Sequence, residues 1–202
     1  MIDIVATFII FFAVIDPVGT IPVFIAVTNQ YDDKARRKIA VIATLVSAAI
    51  LLFFVVAGEL ILTAMSVPLA AFQIAGGIVL FIFALSMIFG ESKPEEELRI
   101  VEDHHDTAIY PLAVPSIAGP GAMLAAVLMT ESAHFNLWQQ AQTVGVMFSV
   151  LLVTYILMMA SGHINKLIGS SGASVVSRVM GLVLSSVAAA NTLSGIRLYF
   201  NL

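Results

Sequence analysis

Two short segments of this sequence combine proline, glycine and small polar residues within long apolar surroundings. The first reads Asp16-Pro17-Val18-Gly19-Thr20-Ile21-Pro22, and the second reads Pro111-Leu112-Ala113-Val114-Pro115-Ser116-Ile117-Ala118-Gly119-Pro120-Gly121. Each proline removes a backbone donor and disfavours the helical conformation of the residue before it. Both segments are therefore expected to interrupt a helix and to present unpaired backbone N–H and C=O groups, which can bind a small polar ligand.

Asp16 is the only ionisable residue expected deep inside an apolar segment. A carboxylate is costly within a membrane, so its presence there indicates a functional site. One alternative is a plain helix N-cap, because Asp followed by Pro17 at the first helical position is a favoured helix start. The other is that the capping carboxylate also contacts the ammonium group of a substrate or carries a coupling proton. The sequence leaves both open.

The composition indicates that these segments belong to a membrane protein. Of the 202 residues, 60% are hydrophobic and only 11% are charged, and the mean hydropathy is +1.03. A soluble domain needs more charge to cover its surface. The net charge of −4 argues against a nucleic-acid partner, and the absence of cysteine excludes disulfides and thiolate chemistry. The N-terminus lacks a basic region and a small-residue cleavage site, so its apolar run is expected to remain as a membrane helix.

Six stretches reach the length of about 20 mainly apolar residues that a membrane-spanning helix needs. We call them spans one to six, and they cover residues 4–28, 39–64, 67–89, 108–130, 141–163 and 176–199. The break at 65–68 is short, which predicts a tight turn between spans two and three. The expected fold is an all-α membrane protein forming a single transmembrane domain over residues 1–202.

The basic residues predict the orientation in the membrane. Eight of the nine Lys and Arg residues fall on one side of a six-span arrangement, and only Arg197 falls on the other. Basic residues are enriched in cytoplasmic loops. We therefore expect the loops 29–38, 90–107 and 164–175 in the cytoplasm, and both termini outside.

The two halves of the chain resemble each other weakly. The segment around Gly76 in span three matches the segment around Gly181 in span six, and spans one and four both carry a proline-glycine interruption. Each half has three spans, so repeat two (108–202) must lie inverted relative to repeat one (1–90), with 91–107 as a cytoplasmic linker. Such a 3+3 inverted-topology repeat, broken at mid-membrane in corresponding helices, is typical of secondary transporters that work by alternating access. The alternative is a chance similarity between two runs of common membrane residues.

The motifs also carry a resemblance to a known family. The pattern Asp16-Pro17-x-Gly19-x-x-Pro22-x-Phe24, the pattern Pro111-Leu112-Ala113-x-Pro115-x-x-x-Gly119-Pro120-Gly121 and the pair Gly76-Gly77 resemble those of the MarC family. The resemblance covers the whole chain. It implies a multi-pass inner-membrane protein of a prokaryote that transports small neutral amino acids such as glycine and alanine.

The interruptions supply groups that suit such a substrate. Half-helix N-termini can bind a carboxylate, and free carbonyls together with Asp16 can bind an ammonium. Small residues around them favour a small substrate, although small residues also simply permit close helix packing. The predicted substrate-binding residues are Asp16, Pro17, Gly19, Thr20, Pro115, Ser116, Ala118, Gly119, Gly121 and Asn191. Asp16 is also the predicted proton-coupling residue, and Asn191, like Gln73, could instead form one interhelical hydrogen bond.

Other classes of protein fit these residues less well. No paired acids, Ser-His pair or His-Glu-x-x-His motif lies within the spans, so we do not expect an enzyme. The run Asp103-His104-His105-Asp106 is interpreted as a solvated linker, with no metal and no cofactor. A lipid-carrier translocase or an exporter of another small polar metabolite is the alternative function, although no Lys or Arg lies in a span core to bind a phosphate. The expected partners are membrane lipids and a small neutral amino acid, while H⁺ or Na⁺ coupling and a homo-oligomer stay open.

Overall fold

The structure is a computed structural model that describes residues 2–29, 31–89, 107–132 and 135–200, without the side chains of residues 163–171, 173 and 177. Every regular element in these ranges is helical. The helices are α1 (Ile4–Ile15), α2 (Thr20–Thr28), α3 (Asp33–Ala64), α4 (Leu69–Phe89), α5 (Ala108–Ile117), α6 (Pro120–Leu128) and α7 (Leu137–Phe200).

Five helical stretches are long and apolar enough to cross a membrane: Ile4–Thr28, Asp33–Ala64, Leu69–Phe89, Leu137–Gly162 and Ser174–Phe200. The pair α5–α6 is bent by 55° and makes a sixth if it counts as one span. The prediction of an all-α, multi-pass membrane protein is thereby confirmed. Span one lies deeper in the protein than α3 does. In span one, 61% of the most apolar window is buried, against 28% for Asp33–Ala64.

Helix α3 begins six residues earlier than the sequence predicted. Asp32 caps it, because its Oδ1 accepts a hydrogen bond of 2.9 Å from the Ala35 N–H. Lys and Arg are good helix formers, so the basic residues Lys34 to Lys38 lie on the first turns of the helix rather than in a loop. The predicted tight turn is confirmed: Ser66 adopts φ 54°, and the Val67 N–H donates to the Leu62 carbonyl at 3.0 Å.

Span four runs parallel to α3. Ser47 of α3 lies next to Ala113 of α5, and Gly58 further along α3 lies against Val127 of α6. The later parts of α3 and span four also lie side by side, as a parallel arrangement requires. Glu59 Oε2 of α3 accepts a hydrogen bond of 2.9 Å from the Ser132 N–H just after α6.

Helix α4 and span one both run antiparallel to span four. Gly76 of α4 lies against Leu124, and Leu80, one turn later, lies against Gly121. Val14 contacts Gly121 from α1, whereas Thr20, later in the chain, contacts Ser116. Span four is thus enclosed by α3, α4 and span one, which explains why most of α6 is buried.

The 64 helical residues of α7 comprise two separate spans, Leu137–Gly162 and Ser174–Phe200, and these two spans run in opposite directions. Ser161 accepts a hydrogen bond of 3.4 Å from Arg36 at the start of α3, and Gly181 packs against the end of α4, where a Cβ atom on it would lie 3.0 Å from the Ala84 carbonyl. Those two ends lie on the same side of the molecule, because α3 is parallel and α4 antiparallel to span four. The first span of α7 therefore ends on this side, near Ser161, and the second span begins on the same side, near Gly181.

The second part of α7 packs closely along α4. A Cβ atom on Gly77 would lie 3.0 Å from the Ala188 carbonyl, and one on Gly195 would lie 3.0 Å from the Ala70 carbonyl. Glycine at these positions lets two helix backbones approach, which is a common way for membrane helices to associate.

Candidate functional site

The interruption of span one is centred on Asp16, which is fully buried. The residue has φ 49° and ψ 66°, and its N–H donates to the Phe12 carbonyl at 3.0 Å to end α1. Aspartate is among the few non-glycine residues that adopt this left-handed conformation readily. Its Oδ1 accepts a hydrogen bond of 3.0 Å from the Gly19 N–H, which is the bond that an N-cap residue makes three positions ahead.

The same residue connects to α2 through its backbone. The Asp16 carbonyl accepts hydrogen bonds from both the N–H and the hydroxyl of Thr20, each 3.0 Å long. Pro17 lacks an N–H, which costs nothing at the first position after a cap. Pro22 lies in the first turn of α2, where it is tolerated for the same reason. The interruption is therefore short and extends over residues 16–19.

The interruption of span four is longer and has a different construction. Tyr110 (φ −126°, ψ 128°) and Val114 (φ −132°, ψ 126°) are extended, as expected for residues that precede a proline. The helical turns of α5 are wide, and the Ala118 N–H reaches back five residues to the Ala113 carbonyl at 2.8 Å. Helix α6 then begins at Pro120 with no side-chain cap.

The two interruptions meet in the interior of the protein. The hydroxyl oxygens of Thr20 and Ser116 lie 3.5 Å apart, and both residues are buried. The Thr20 hydroxyl donates to the Asp16 carbonyl, so its hydrogen is already used. Ser116 must therefore donate to Thr20, which gives a chain of hydrogen bonds from span four to the backbone of Asp16.

A third hydroxyl, which the sequence did not predict, reaches this region from α3. Ser47 is fully buried, and its Oγ lies 3.4 Å from the Ala113 carbonyl in addition to a bond of 2.8 Å to Ala43 on its own helix. The sequence does contain a signal for it. Ser47 continues a row of small buried residues, Ala40 and Ala43, at helical spacing.

Most of the predicted substrate-binding residues are brought together at the two interruptions. Those that are buried there are Asp16, Pro17, Gly19, Thr20, Ser116, Ala118, Gly119 and Gly121, and Pro115 is partly exposed. Two of the glycines lie in close contact with neighbouring atoms, and only at Gly119 is the neighbour backbone that cannot move aside. A Cβ on Gly119 would lie 2.7 Å from the Pro115 carbonyl, and one on Gly121 would lie 2.6 Å from the Leu80 side chain.

Asn191 lies apart from the other predicted residues. It lines a cavity of about 280 Å³ between α1, α4, α6 and the second part of α7, together with Gln73 and Glu131. None of the predicted residues at the two interruptions lines this cavity.

The predicted linker over residues 91–107 lies outside the described residues, except for Thr107, and so does the run Asp103-His104-His105-Asp106. Within the part of the chain that the structure describes, no group of three or more His, Asp or Glu residues could hold a metal ion.

These features define a class: a multi-pass helical membrane protein with two interrupted helices that touch in its interior. Residues 1–200 match the description "MarC family integral membrane protein". The chain belongs to the MarC family, as its motifs predicted.

Several relatives are similar over nearly their whole length. A UPF0056 membrane protein of Buchnera aphidicola (subsp. Schizaphis graminum) is 30% identical over 200 residues, covering 99% of both chains. A UPF0056 membrane protein of Methanocaldococcus jannaschii is 32% identical over 196 residues, covering 92% of each. The inner membrane protein YhgN of Escherichia coli K12 is 30% identical over 203 residues, covering 98% of each. No solved structure matches the chain significantly.

Proposed function

We propose that this chain is a secondary transporter that carries small neutral amino acids of the glycine and alanine type across the cytoplasmic membrane by alternating access. The observation that carries the proposal is the buried contact between Thr20 and Ser116, because it joins the interrupted helices of the two halves. Irregular backbone at membrane depth is tolerated where it packs in protein or lines a cavity. Paired interrupted helices are where transporters of this plan bind their substrates.

The 3+3 inverted-topology repeat is part of this proposal. Span one runs antiparallel to span four, and α4 runs antiparallel to the second part of α7. An inverted repeat requires this relation between the corresponding elements of its two halves. The directions of the helices agree with this requirement, and the proposal places the interruptions of spans one and four at mid-membrane.

The interruptions offer groups for both charged ends of an amino acid. Helix α6 starts without a side-chain cap, so its first N–H groups and its dipole suit a carboxylate. The Asp16 carboxylate and the hydroxyl oxygens of Thr20, Ser116 and Ser47 suit an ammonium. The residues between them are small or tightly packed, which favours a substrate with a short side chain.

Counterflow in proteoliposomes tests the substrate. Vesicles loaded with unlabelled glycine, alanine, serine or threonine should accumulate radiolabelled alanine, and vesicles loaded with leucine, lysine or glutamate should not. Failure of every neutral amino acid would contradict the proposal. A rise in melting temperature with polyprenyl phosphate, and none with alanine, would favour the lipid-carrier translocase instead.

The orientation can be tested by cysteine labelling, since the chain contains no cysteine of its own. Cysteines at Ser92 and Ser170 should react only from the cytoplasmic side, and a cysteine at Asn136 only from outside. The measurement uses a membrane-impermeant thiol reagent on intact cells and on inverted vesicles. Labelling of position 92 from outside would contradict both the orientation and the inverted repeat.

A further inference from the structure

The first two turns of α3 carry four basic residues, and the helix points them in two directions. Arg36 points into the protein, because its guanidinium lies 5.6 Å from the centre of the buried Phe24 ring and donates a hydrogen bond of 3.4 Å to the Ser161 hydroxyl oxygen. The other three basic side chains are exposed, and they are Lys34, Arg37 and Lys38. Residues three and four apart share one face of a helix, so these three form a basic face on the surface of the protein.

The basic face borders an open groove of about 590 Å³ on the surface of α3, which we call the basic groove. The three exposed basic side chains line it together with Asp32 and the apolar residues Val41 and Ile42. Three positive charges and one negative charge leave a net charge of +2, and the Asp32 Oδ1 is already engaged by the Ala35 N–H in the helix cap. The positive end of the helix dipole lies at the same place. The basic groove therefore favours an anion.

An exposed apolar row continues the basic face along α3. It begins at Val41, which also lines the basic groove, and continues at helical spacing through Leu45, Leu52 and Val56, all of which are exposed. At 1.5 Å per residue, this row is about 22 Å long. It is therefore longer than the hydrocarbon part of one membrane leaflet, which is half of about 30 Å.

A basic groove that leads into an apolar row matches the two parts of an anionic phospholipid. Arginine can bind two phosphate oxygens at once, and lysine adds a compact positive charge. Basic residues next to the end of a membrane span attract anionic lipids. Free phosphate would use only the basic groove, whereas a phospholipid uses the groove and the row together.

We propose that the basic groove and the apolar row of α3 form a binding site for one anionic phospholipid. Lys34, Arg37 and Lys38 bind the phosphate of the headgroup, and an acyl chain lies along Val41 and Leu45. Arg36 takes no part in the site, because it holds α3 to Phe24 and Ser161 inside the protein. This inference does not depend on the proposed transport function.

The first experiment locates the lipid by tryptophan quenching. The single tryptophan of the chain, Trp138, is replaced by phenylalanine, and a new tryptophan is placed in the apolar row by Leu45→Trp. The protein is reconstituted in mixed vesicles of phosphatidylcholine and phosphatidylglycerol, in which one of the two lipids carries brominated acyl chains. Brominated phosphatidylglycerol should quench the tryptophan more strongly, with an apparent affinity about tenfold higher than that of phosphatidylcholine, as expected from three basic residues near the membrane surface.

Leu152→Trp provides the matched control position, also in the Trp138→Phe protein. Arg36 of α3 contacts Ser161 of α7. Leu45 follows Arg36 by nine residues and Leu152 precedes Ser161 by nine residues, so the two leucines lie at about the same depth. Leu152 is exposed like Leu45, but it lies on α7 and away from the basic groove. The two brominated lipids should quench a tryptophan at this position equally.

The second experiment removes the charges of the basic groove. Combining Lys34→Gln, Arg37→Gln and Lys38→Gln should abolish the preference for phosphatidylglycerol in the Leu45→Trp protein. Thermal unfolding in neutral detergent should stay close to that of the parent protein, because the three side chains are exposed. Arg37→Lys keeps the charge and should keep most of the preference. Arg178→Gln removes an exposed charge outside the groove and should leave the preference unchanged.

Three results would overturn the inference: equal quenching by the two lipids in the Leu45→Trp protein, the same preference in the Leu152→Trp protein, or a preference that survives loss of the three charges. A rise in melting temperature with inorganic phosphate, without a preference for phosphatidylglycerol, would assign the groove to a free anion and would also overturn it. Alanine counterflow is scored separately. A lipid preference without counterflow leaves the lipid site standing while the transport proposal fails, and counterflow without a lipid preference does the reverse.

Discussion

Spans one and four each contain an interruption, and the two interruptions are held in different ways. In span one, a single side chain closes the break, since the Asp16 carboxylate binds the Gly19 N–H and the chain resumes as a helix at Thr20. In span four, extended residues before two prolines and a bend of 55° form the break, with no side-chain cap on α6.

This difference separates the roles that the two interruptions can have. The first contains a titratable group, so it can respond to a proton or to a charged ligand. The second contains no carboxylate and consists of irregular backbone and mainly apolar side chains, so it can shape a binding site. Under the proposed transport function, we expect ion coupling at span one and substrate selection by size at span four.

The largest effect is expected from adding a methyl group at the interruption of span four. In Gly119→Ala, the new Cβ would lie 2.7 Å from the Pro115 carbonyl, which is backbone and cannot rotate away. We expect a loss of stability of about 1–3 kcal/mol, typical of overpacking, and loss of alanine counterflow. Thermal unfolding in detergent and the counterflow assay are the measurements.

Gly145→Ala is the matched control for this change. No heavy atom lies within 4 Å of a Cβ at that position, and Gly145 lies within helix α7. Alanine there should be neutral or slightly stabilising, because alanine is the better helix former by about 1 kcal/mol. Equal melting temperatures for the two variants would show that Gly119 is not required by the bend.

The second-largest loss of stability is expected from removing the cap of span one. Asp16→Ala removes the bond to the Gly19 N–H and places alanine in a left-handed conformation, so we expect a loss of about 1–2 kcal/mol. Asp16→Asn keeps both the capping ability and the tolerance for that conformation, and should unfold close to the native temperature. Asp3 offers a matched cap outside the interruption, since its Oδ1 accepts bonds from Val5 and Ala6. Asp3→Ala should lower stability without altering transport.

Transport by the Asp16→Asn variant distinguishes the three possible roles of the carboxylate. If Asp16 carries the coupling proton, exchange persists while accumulation driven by a pH gradient is lost. If it contacts the substrate ammonium, both exchange and binding are lost. Full gradient-driven accumulation by Asp16→Asn would leave Asp16 as a helix cap only. Radiolabelled alanine uptake with and without an imposed pH gradient provides the measurement.

The smallest effect is expected from the contact between the two interruptions. Ser116→Ala removes one hydrogen bond of 3.5 Å and should cost about 0.5–1 kcal/mol. Thr20→Val should cost more, because it also removes the bond to the Asp16 carbonyl. A double-mutant cycle measures their interaction, and additive effects would exclude a direct contact. Ser185→Ala is the control, since the exposed Ser185 hydroxyl donates to the Leu182 carbonyl of its own helix.

Local sequence patterns predicted the helical spans and the positions of both interruptions. Proline acts on its own residue and the one before it, so Pro17, Pro111 and Pro115 mark breaks without any knowledge of the packing. The cap at Asp16 is also local, because its hydrogen bond reaches only three residues along the chain, to Gly19. The start of α3 was misplaced because a run of basic residues after Asp32 was interpreted as a loop, whereas the cap and high helix propensity extend the helix through it.

The pairing of the helices came only from the tertiary structure. On α4, Leu80 and Ala84 are buried against other helices while Ile78 and Ile82 are exposed, yet all four are apolar. Lipid tails are as apolar as a protein interior, so hydrophobicity does not distinguish a packed face from a lipid-facing one. The meeting of Thr20 with Ser116, the approach of Ser47, and the position of Asn191 in a separate cavity depend on contacts between residues far apart in the chain, which no local pattern encodes.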